Sequence, residues 1–167
     1  MQRVCLLLLT ILAVSCSHSY YIVRHAEKAG ATNGTIMASP NDPPLSERGL
    51  ERAEVLAKKL KHKHIHYIFS TNTIRTLATA APLSKAIGVQ PILYGPTPDS
   101  AFIHKLQTLK KNVLIIGHSN TVDDIVNGLC KAVKVTGDLP DSEYNNLFIV
   151  TYKGDKIKYR RKHYGAP

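Results

Sequence analysis

The sequence predicts an α/β domain, a three-layer sandwich with a mostly parallel central sheet. Three observations carry this. From Tyr20 onward, short apolar runs rich in β-branched and aromatic residues alternate with longer segments of helical periodicity, the pattern of a sheet whose strands are joined by crossover helices. At 167 residues the chain is the size of one domain able to bury a substantial core. No internal repeat or low-complexity linker divides it. The domain is expected over residues 20–167.

Strands are expected at YYIV (20–23), YIFS (67–70), PILY (91–94), VLIIG (113–117) and NLFIVTY (146–152), with KIKYRRKHY as the hairpin partner of the last. The clearest helix follows Leu45. Ser46 is placed to accept a hydrogen bond as N-cap, Leu45 to pack on Leu50 as a staple, and Leu50, Ala53, Leu56, Ala57 and Leu60 recur at helical spacing. A second helix is expected over 73–87, ending at Gly88 and carrying Pro82 as a point of kinking. Two more are expected at 99–110 and 120–133. Residues 29–44, with Gly30, Gly34, Pro40, Pro43 and Pro44, read as a long loop of the kind that carries function.

The segment before the domain is read separately. Arg3 followed by the apolar run VCLLLLTILAV matches a secretory signal over residues 1–15 and is too short for a comfortable membrane span. Ala13-Val14-Ser15 fits a small-residue cleavage site. The same residues before Cys16 also fit a loose lipoprotein box, in which case a lipidated Cys16 begins the mature chain and attaches it to a membrane. The expectation is an exported protein, periplasmic or anchored as a lipoprotein, in a bacterium. Cleavage leaves too few cysteines for a disulfide framework, and Cys130 reads as a small core residue at a helix end.

A net charge of +10 favours anionic partners: nucleic acid, a membrane or polysaccharide surface, or a small phosphorylated substrate. Nucleic acid is set aside, because the chain lacks the interleaved stacking aromatics and modules that would bind it. His62, His64 and His66 would share a face on an extended segment, as a metal site requires, but a solvated, frayed helix end is the simpler reading. Lys156, Lys158, Arg160 and Lys162 alternate as on an edge strand guarded by charge, with an anionic polymer as the other reading.

Arg24 and His25 fall where the first strand ends, Arg75 in the first turn after the second, and His118 directly after VLIIG. In an open α/β sheet, the crevice beyond the carboxyl ends of the strands is the usual ligand site, and helix N-termini there favour anions. Two arginines, two histidines and two helix N-termini are therefore expected to converge on one anionic group, a phosphoryl group.

In order and separation, RHAEK (24–28), LSERG (45–49), STNTIRTLATA (70–80) and GHSNT (117–121) resemble the histidine phosphatase superfamily, with its phosphoglycerate-mutase-like fold, over roughly residues 20–152. The resemblance implies that His25 is the nucleophile that takes the phosphoryl group, that Arg24, Arg75 and His118 surround it, and that neither metal nor cofactor is required. The chemistry is consistent. An imidazole must be neutral to attack phosphorus, and neighbouring cations disfavour its charged form.

Two departures bear on function. Ala26 stands where the family has glycine, and the chain has no glutamate from 55 to 142, where many members carry the acid that protonates the leaving oxygen. Ser119 replaces the aspartate that the acid-phosphatase branch places after the second histidine. Asp99 is the candidate proton donor, against a plain role as helix N-cap. Asn120 either contacts phosphate or caps the following helix, and Glu27 either orients Arg24 or Lys28 or faces solvent. The expected activity is general hydrolysis of phosphomonoesters with an exposed phosphate, such as that of a sugar or a cell-envelope glycolipid. The alternatives are a phosphohistidine or phosphoprotein phosphatase, whose leaving imidazole needs no separate acid, and a noncatalytic anion-binding module.

Overall fold

The computed structural model describes residues 17–30 and 41–166; the leader read at 1–15, Cys16 and the 31–40 part of the long loop lie outside the described residues. The elements run β1 (Ser17–Arg24), α1 (Glu47–Leu60), β2 (Ile65–Ser70), α2 (Ile74–Ile87), β3 (Pro91–Leu93), α3 (Ser100–Leu109), β4 (Asn112–Gly117), α4 (Val122–Cys130), β5 (Asn146–Lys153) and β6 (Lys156–His163). They build one six-stranded sheet in the order β3-β2-β4-β1-β5-β6.

Strands β1 to β4 pair in parallel, whereas β5 pairs antiparallel with β1, and β6 antiparallel with β5. The sheet is therefore mixed, which corrects the mostly parallel expectation. The physical reason lies in the chain after α4. It returns to the carboxyl edge of β1, where Leu139 N–H bonds to the Ser119 carbonyl (3.0 Å), before entering β5. From there β5 can only run down the sheet, and the tight turn at Gly154 and Asp155 brings β6 back up beside it.

The three layers follow from strand alternation. Tyr20, Ile22, Val113, Ile115, Phe148 and Val150 face one way and pack under α3 and α4 through Leu106, Val122, Ile125 and Leu129. Their neighbours Tyr21, Val23, Leu114, Ile116, Leu147 and Ile149 face the other way, under α1 and α2, against Leu56, Leu60, Ala80 and Leu83. Central strands buried on both faces read as continuous apolar runs, which is why they were legible.

Helix ends obey their local chemistry. Ser46, Thr73 and Asp99 each accept a hydrogen bond from a first-turn backbone N–H, and Gly88 closes α2 in the left-handed region at φ 71°. Helix α4 starts at Val122 and stops at Cys130 because Lys131 turns left-handed, and Cys130 is buried there as expected. One detail of α1 differs. Leu50 is 54% exposed, because the face that docks is Gly49, Ala53, Leu56, Ala57 and Leu60, and Leu45 packs with Ala26 and Ala53 instead of stapling to Leu50. His62 and His64 lie in the turn after α1, and His66 lies in β2, all three exposed; among the described residues no three or more His, Cys, Asp or Glu side chains gather as metal ligands would. Strand β6 occupies the sheet edge with its lysines and arginines exposed.

The start of α1 is pressed onto the chain leaving β1. Ser46 N–H donates to the Glu27 carbonyl (2.9 Å), and a Cβ on Gly49 would sit 2.2 Å from that same oxygen. Beside it, buried Arg52 bonds Glu27 through Nε (2.8 Å) and Nη2 (2.6 Å), and reaches the carbonyls of Tyr164 (2.8 Å) and Ala166 (2.9 Å). Glu27 thus orients Arg52 rather than Arg24 or Lys28, and ties β1, α1 and the C-terminal segment together. Gly49→Ala should destabilise the fold by about 3 kcal/mol, since a backbone oxygen cannot step aside as a flexible side chain would; the urea unfolding midpoint measures this, and an unchanged midpoint would contradict the close contact.

Candidate active site

The site begins with strand register. Arg24, the last residue of β1, lies opposite Gly117, the last of β4, and His25 N–H donates to the Gly117 carbonyl (2.9 Å). The residues that follow the two strands, His25 and His118, therefore emerge side by side, with ring centroids 5.4 Å apart. Both line a cavity of about 640 Å³ with Arg24, Arg75, Lys28 and Asn120. The four residues that sequence brought to one edge are brought to one cavity.

Hydrogen bonds orient both rings. His25 is buried, and its Nδ1 lies 2.7 Å from the Ala26 carbonyl, which can only accept, so the proton sits on Nδ1 and the lone pair on Nε2. No described residue hydrogen-bonds Nε2. His118 is held at both nitrogens: Arg75 Nη2 donates to Nδ1 (3.4 Å), which leaves Nε2–H to donate to Thr71 Oγ1 (2.8 Å). Burial, reinforced by the Arg24 and Arg75 guanidiniums, pushes His25 down to about 3. Burial, followed by Arg75 and Arg24, pushes His118 down to about 4. Cations were expected to keep His25 neutral; they contribute, but desolvation is the larger cause.

The arginines are clamped from outside the motifs. Arg24 is 3% exposed and lies over the Tyr144 ring (4.2 Å from carbon to centroid), while its Nη atoms donate to the Pro140 carbonyl (2.9 Å) and Asp141 Oδ1 (2.9 Å). Its Nε is buried without a hydrogen-bond partner. Arg75 donates to Asp42 Oδ1 (2.9 Å), and Asp42 Oδ2 accepts from Ile74 N–H (2.9 Å), capping α2. Sequence reasoning missed Asp42, Asp141, Tyr144 and Thr71. Asp42 at least sat in the loop singled out for function, whereas nothing in the chain marks Asp141 or Tyr144.

The remaining sequence candidates separate. Asn120 lines the cavity, exposed, while Thr121 is the N-cap position of α4. Asp99 caps α3 by accepting from Phe102 N–H (2.7 Å) and is not brought to the cavity. Ala26 is fully buried against Leu45 and Ala53, with its N–H bonded to Thr79 Oγ1 (2.9 Å), so a methyl group is accommodated where glycine was expected. No acidic residue occurs in 1–16 or 31–40, so every Asp and Glu side chain lies among the described residues. The one that lines the cavity, Asp141, is held below the ordinary carboxylate range by its hydrogen bond to Arg24.

Comparison with known proteins agrees with this geometry. Residues 20–95 match the family model described as "Histidine phosphatase superfamily (branch 1)". Phosphoserine phosphatase 1 of Hydrogenobacter thermophilus is 36% identical over 75 residues, covering 42% of this chain and 33% of that protein. The chain spans about a third of the length of the curated relatives it matches. Among solved structures, the protein histidine phosphatase SixA complexed with tungstate superposes with a TM-score of 0.68 at 20% identity, covering 87% of this chain and 96% of that one. A mycobacterial glucosyl-3-phosphoglycerate phosphatase superposes at 0.61 with 14% identity, covering 90% and 100%. At these identities the superpositions show the fold alone.

The depressed histidines make stability depend on pH with a definite sign. The unfolded chain takes up a proton on each ring near pH 6.5, whereas the folded chain refuses them until about 4 for His118 and about 3 for His25. Stability from this source is intact above 6.5 and is lost as pH falls toward 3. In His25→Gln the decline in urea midpoint between pH 7 and pH 4 should be shallower than in the wild type; an identical pH profile would mean that His25 is not held neutral.

Proposed function

We propose, from the premise that this chain belongs to the histidine phosphatase superfamily, that it hydrolyses phosphomonoesters through a phosphohistidine on His25. The observation that carries the reading is the unpartnered His25 Nε2, neutral and turned to the cavity beside Arg24, Arg75 and His118. In the first step Nε2 attacks phosphorus in line, the N–P bond forms, and the P–O bond to the leaving group breaks. Water then attacks the phosphohistidine, the N–P bond breaks, inorganic phosphate leaves, and the imidazole returns to its starting state. The guanidiniums of Arg24 and Arg75, both of which line the cavity, donate to the phosphoryl oxygens as charge builds on them.

The leaving group narrows the substrate class. Asp99 is occupied as a cap, and the carboxylate in the cavity, Asp141, is ionised and paired with Arg24. No carboxylic acid stands ready to protonate an alkoxide. This favours substrates whose leaving group departs without an acid, and gives specific support to the second reading, a phosphohistidine or phosphoprotein phosphatase, the activity named for the SixA fold neighbour. The apolar leader and Cys16 support an exported enzyme, free in the periplasm or held by lipid at Cys16; intact mass of the mature protein distinguishes these forms.

An aryl phosphate should be turned over, with activity lost in His25→Ala and lowered on the order of 100-fold in Arg75→Lys. An alkyl phosphate should be hydrolysed far more slowly than the aryl ester or a phosphohistidine peptide. Acid-labile label retained on wild-type protein after a rapid quench, and absent from His25→Ala, would identify the intermediate. Binding of phosphate without turnover of any of these substrates would leave only the anion-binding module.

A further inference from the structure

The edge of the sheet opposite the cavity carries a different chemistry. Strands β1 to β4 are parallel, so their first residues, and the turns that enter β2, β3 and β4, lie together at the pole away from His25. Strand β5 runs the other way, and Ser17 of β1 pairs with Lys153, which brings the β5–β6 turn to the same pole. The connections gathered there read KHKH (61–64), GVQ (88–90), KK (110–111), KAVK (131–134) and KGDK (153–156). Their lysines are all exposed, and Asp155 is the one carboxylate in these turns. Glu27, Asp42, Asp138, Asp141 and Glu143 lie instead in the connections at the cavity end, and Asp123 in the first turn of α4 there.

Close approach of several of these groups is direct. Lys110 and Lys131 line one groove with His18, Tyr152 and Asp155, and Asn112 joins the Lys63 carbonyl (2.7 Å) to Ser19 N–H (2.7 Å). Helix C-termini attract lysines, which accounts for Lys63, Lys110 and Lys131 taken singly. It does not account for Lys153 and Lys156 in a hairpin turn. Nor does it account for Val133, which stands between Lys131 and Lys134 as the most exposed large apolar side chain in the described residues, at 74%.

We propose that this lysine-rich pole docks on an anionic lipid bilayer, with Val133 entering the interfacial layer and the flanking lysines reaching the headgroups. Exposed lysines around a solvated apolar side chain are what a membrane interface takes up, and a soluble polyanion gives no reason for the apolar one. The chain itself points the same way. Strand β1 starts at this pole with Ser17, so the apolar run of residues 4–14 and Cys16 join the domain there. Docking fixes orientation: the eight residues of β1 hold the cavity about 25 Å from the docked face, opening away from the bilayer. Whatever enters it comes from the aqueous side, not from the headgroups beneath.

Co-sedimentation of the full chain with vesicles of phosphatidylcholine, with and without 30% phosphatidylglycerol, tests this. The phosphatidylcholine arm reads any attachment through the apolar leader, and the increment with phosphatidylglycerol reads the pole. That increment should be at least tenfold at low salt and should vanish at high salt, because screening acts over about 8 Å even at physiological ionic strength. It should be lost in Lys110→Glu/Lys131→Glu/Lys153→Glu, and reduced severalfold in Val133→Ser, with far-UV circular dichroism unchanged. Lys63→Glu/Lys111→Glu/Lys156→Glu provides a second charge-reversed variant should the first misfold. No dependence on phosphatidylglycerol, or full binding by a folded charge-reversed variant, overturns the proposal. Binding to soluble polyphosphate as tight as to vesicles, indifferent to Val133→Ser, overturns the membrane in favour of a soluble polyanion.

Discussion

The site rests on the parallel pairing of β1 with β4, register Arg24 to Gly117. Everything chemical follows from where those two strands stop. A slip of one residue would turn Tyr20 and Ile22 to the α1 side, Tyr21 and Val23 to the α3 side, and Arg24 and His25 away from their present neighbours. Both faces are buried, so the slip is opposed by two cores at once. The register that sets His25 beside His118 is thus enforced by side chains that do not line the cavity.

Within that frame, burial and charge act together on the same ring. Desolvation alone would keep His25 neutral, and the arginines would do so in water to a smaller extent; combined, they hold a ring that needs no separate base to free its lone pair. The Nδ1 bond to Ala26 settles which nitrogen carries the proton and which keeps a free lone pair. His118 is fixed more tightly, between Arg75 and the Thr71 hydroxyl, and so holds its side of the cavity in shape.

Much of this was written plainly in the chain. Fully buried strands announce themselves as apolar runs, Ser46, Thr73 and Gly88 mark helix ends through local hydrogen bonding, and Arg24, His25, Arg75 and His118 stand at strand and helix termini where ligands bind. The illegible parts share one cause: they depend on how distant segments meet. The direction of β5 was hidden because a strand reads the same up or down. Leu50 satisfied helical spacing at the rim of the stripe, where geometry alone decides exposure. Glu27 found Arg52 across the α1 contact, and Asp42, Asp141 and Tyr144 sit in loops whose approach to the arginines no periodicity encodes.

Those loop carboxylates change what an empty cavity is. Asp141 rests on Arg24 and Asp42 on Arg75, so each guanidinium already has an anion attached to the same molecule. Such tethered competitors are present at high effective concentration. Chloride or a lone carboxylate gains little by displacing them, whereas a doubly charged phosphoryl group that spans both arginines gains two contacts in one event. Once such an anion leaves, the same carboxylates are in place to reclaim their cations.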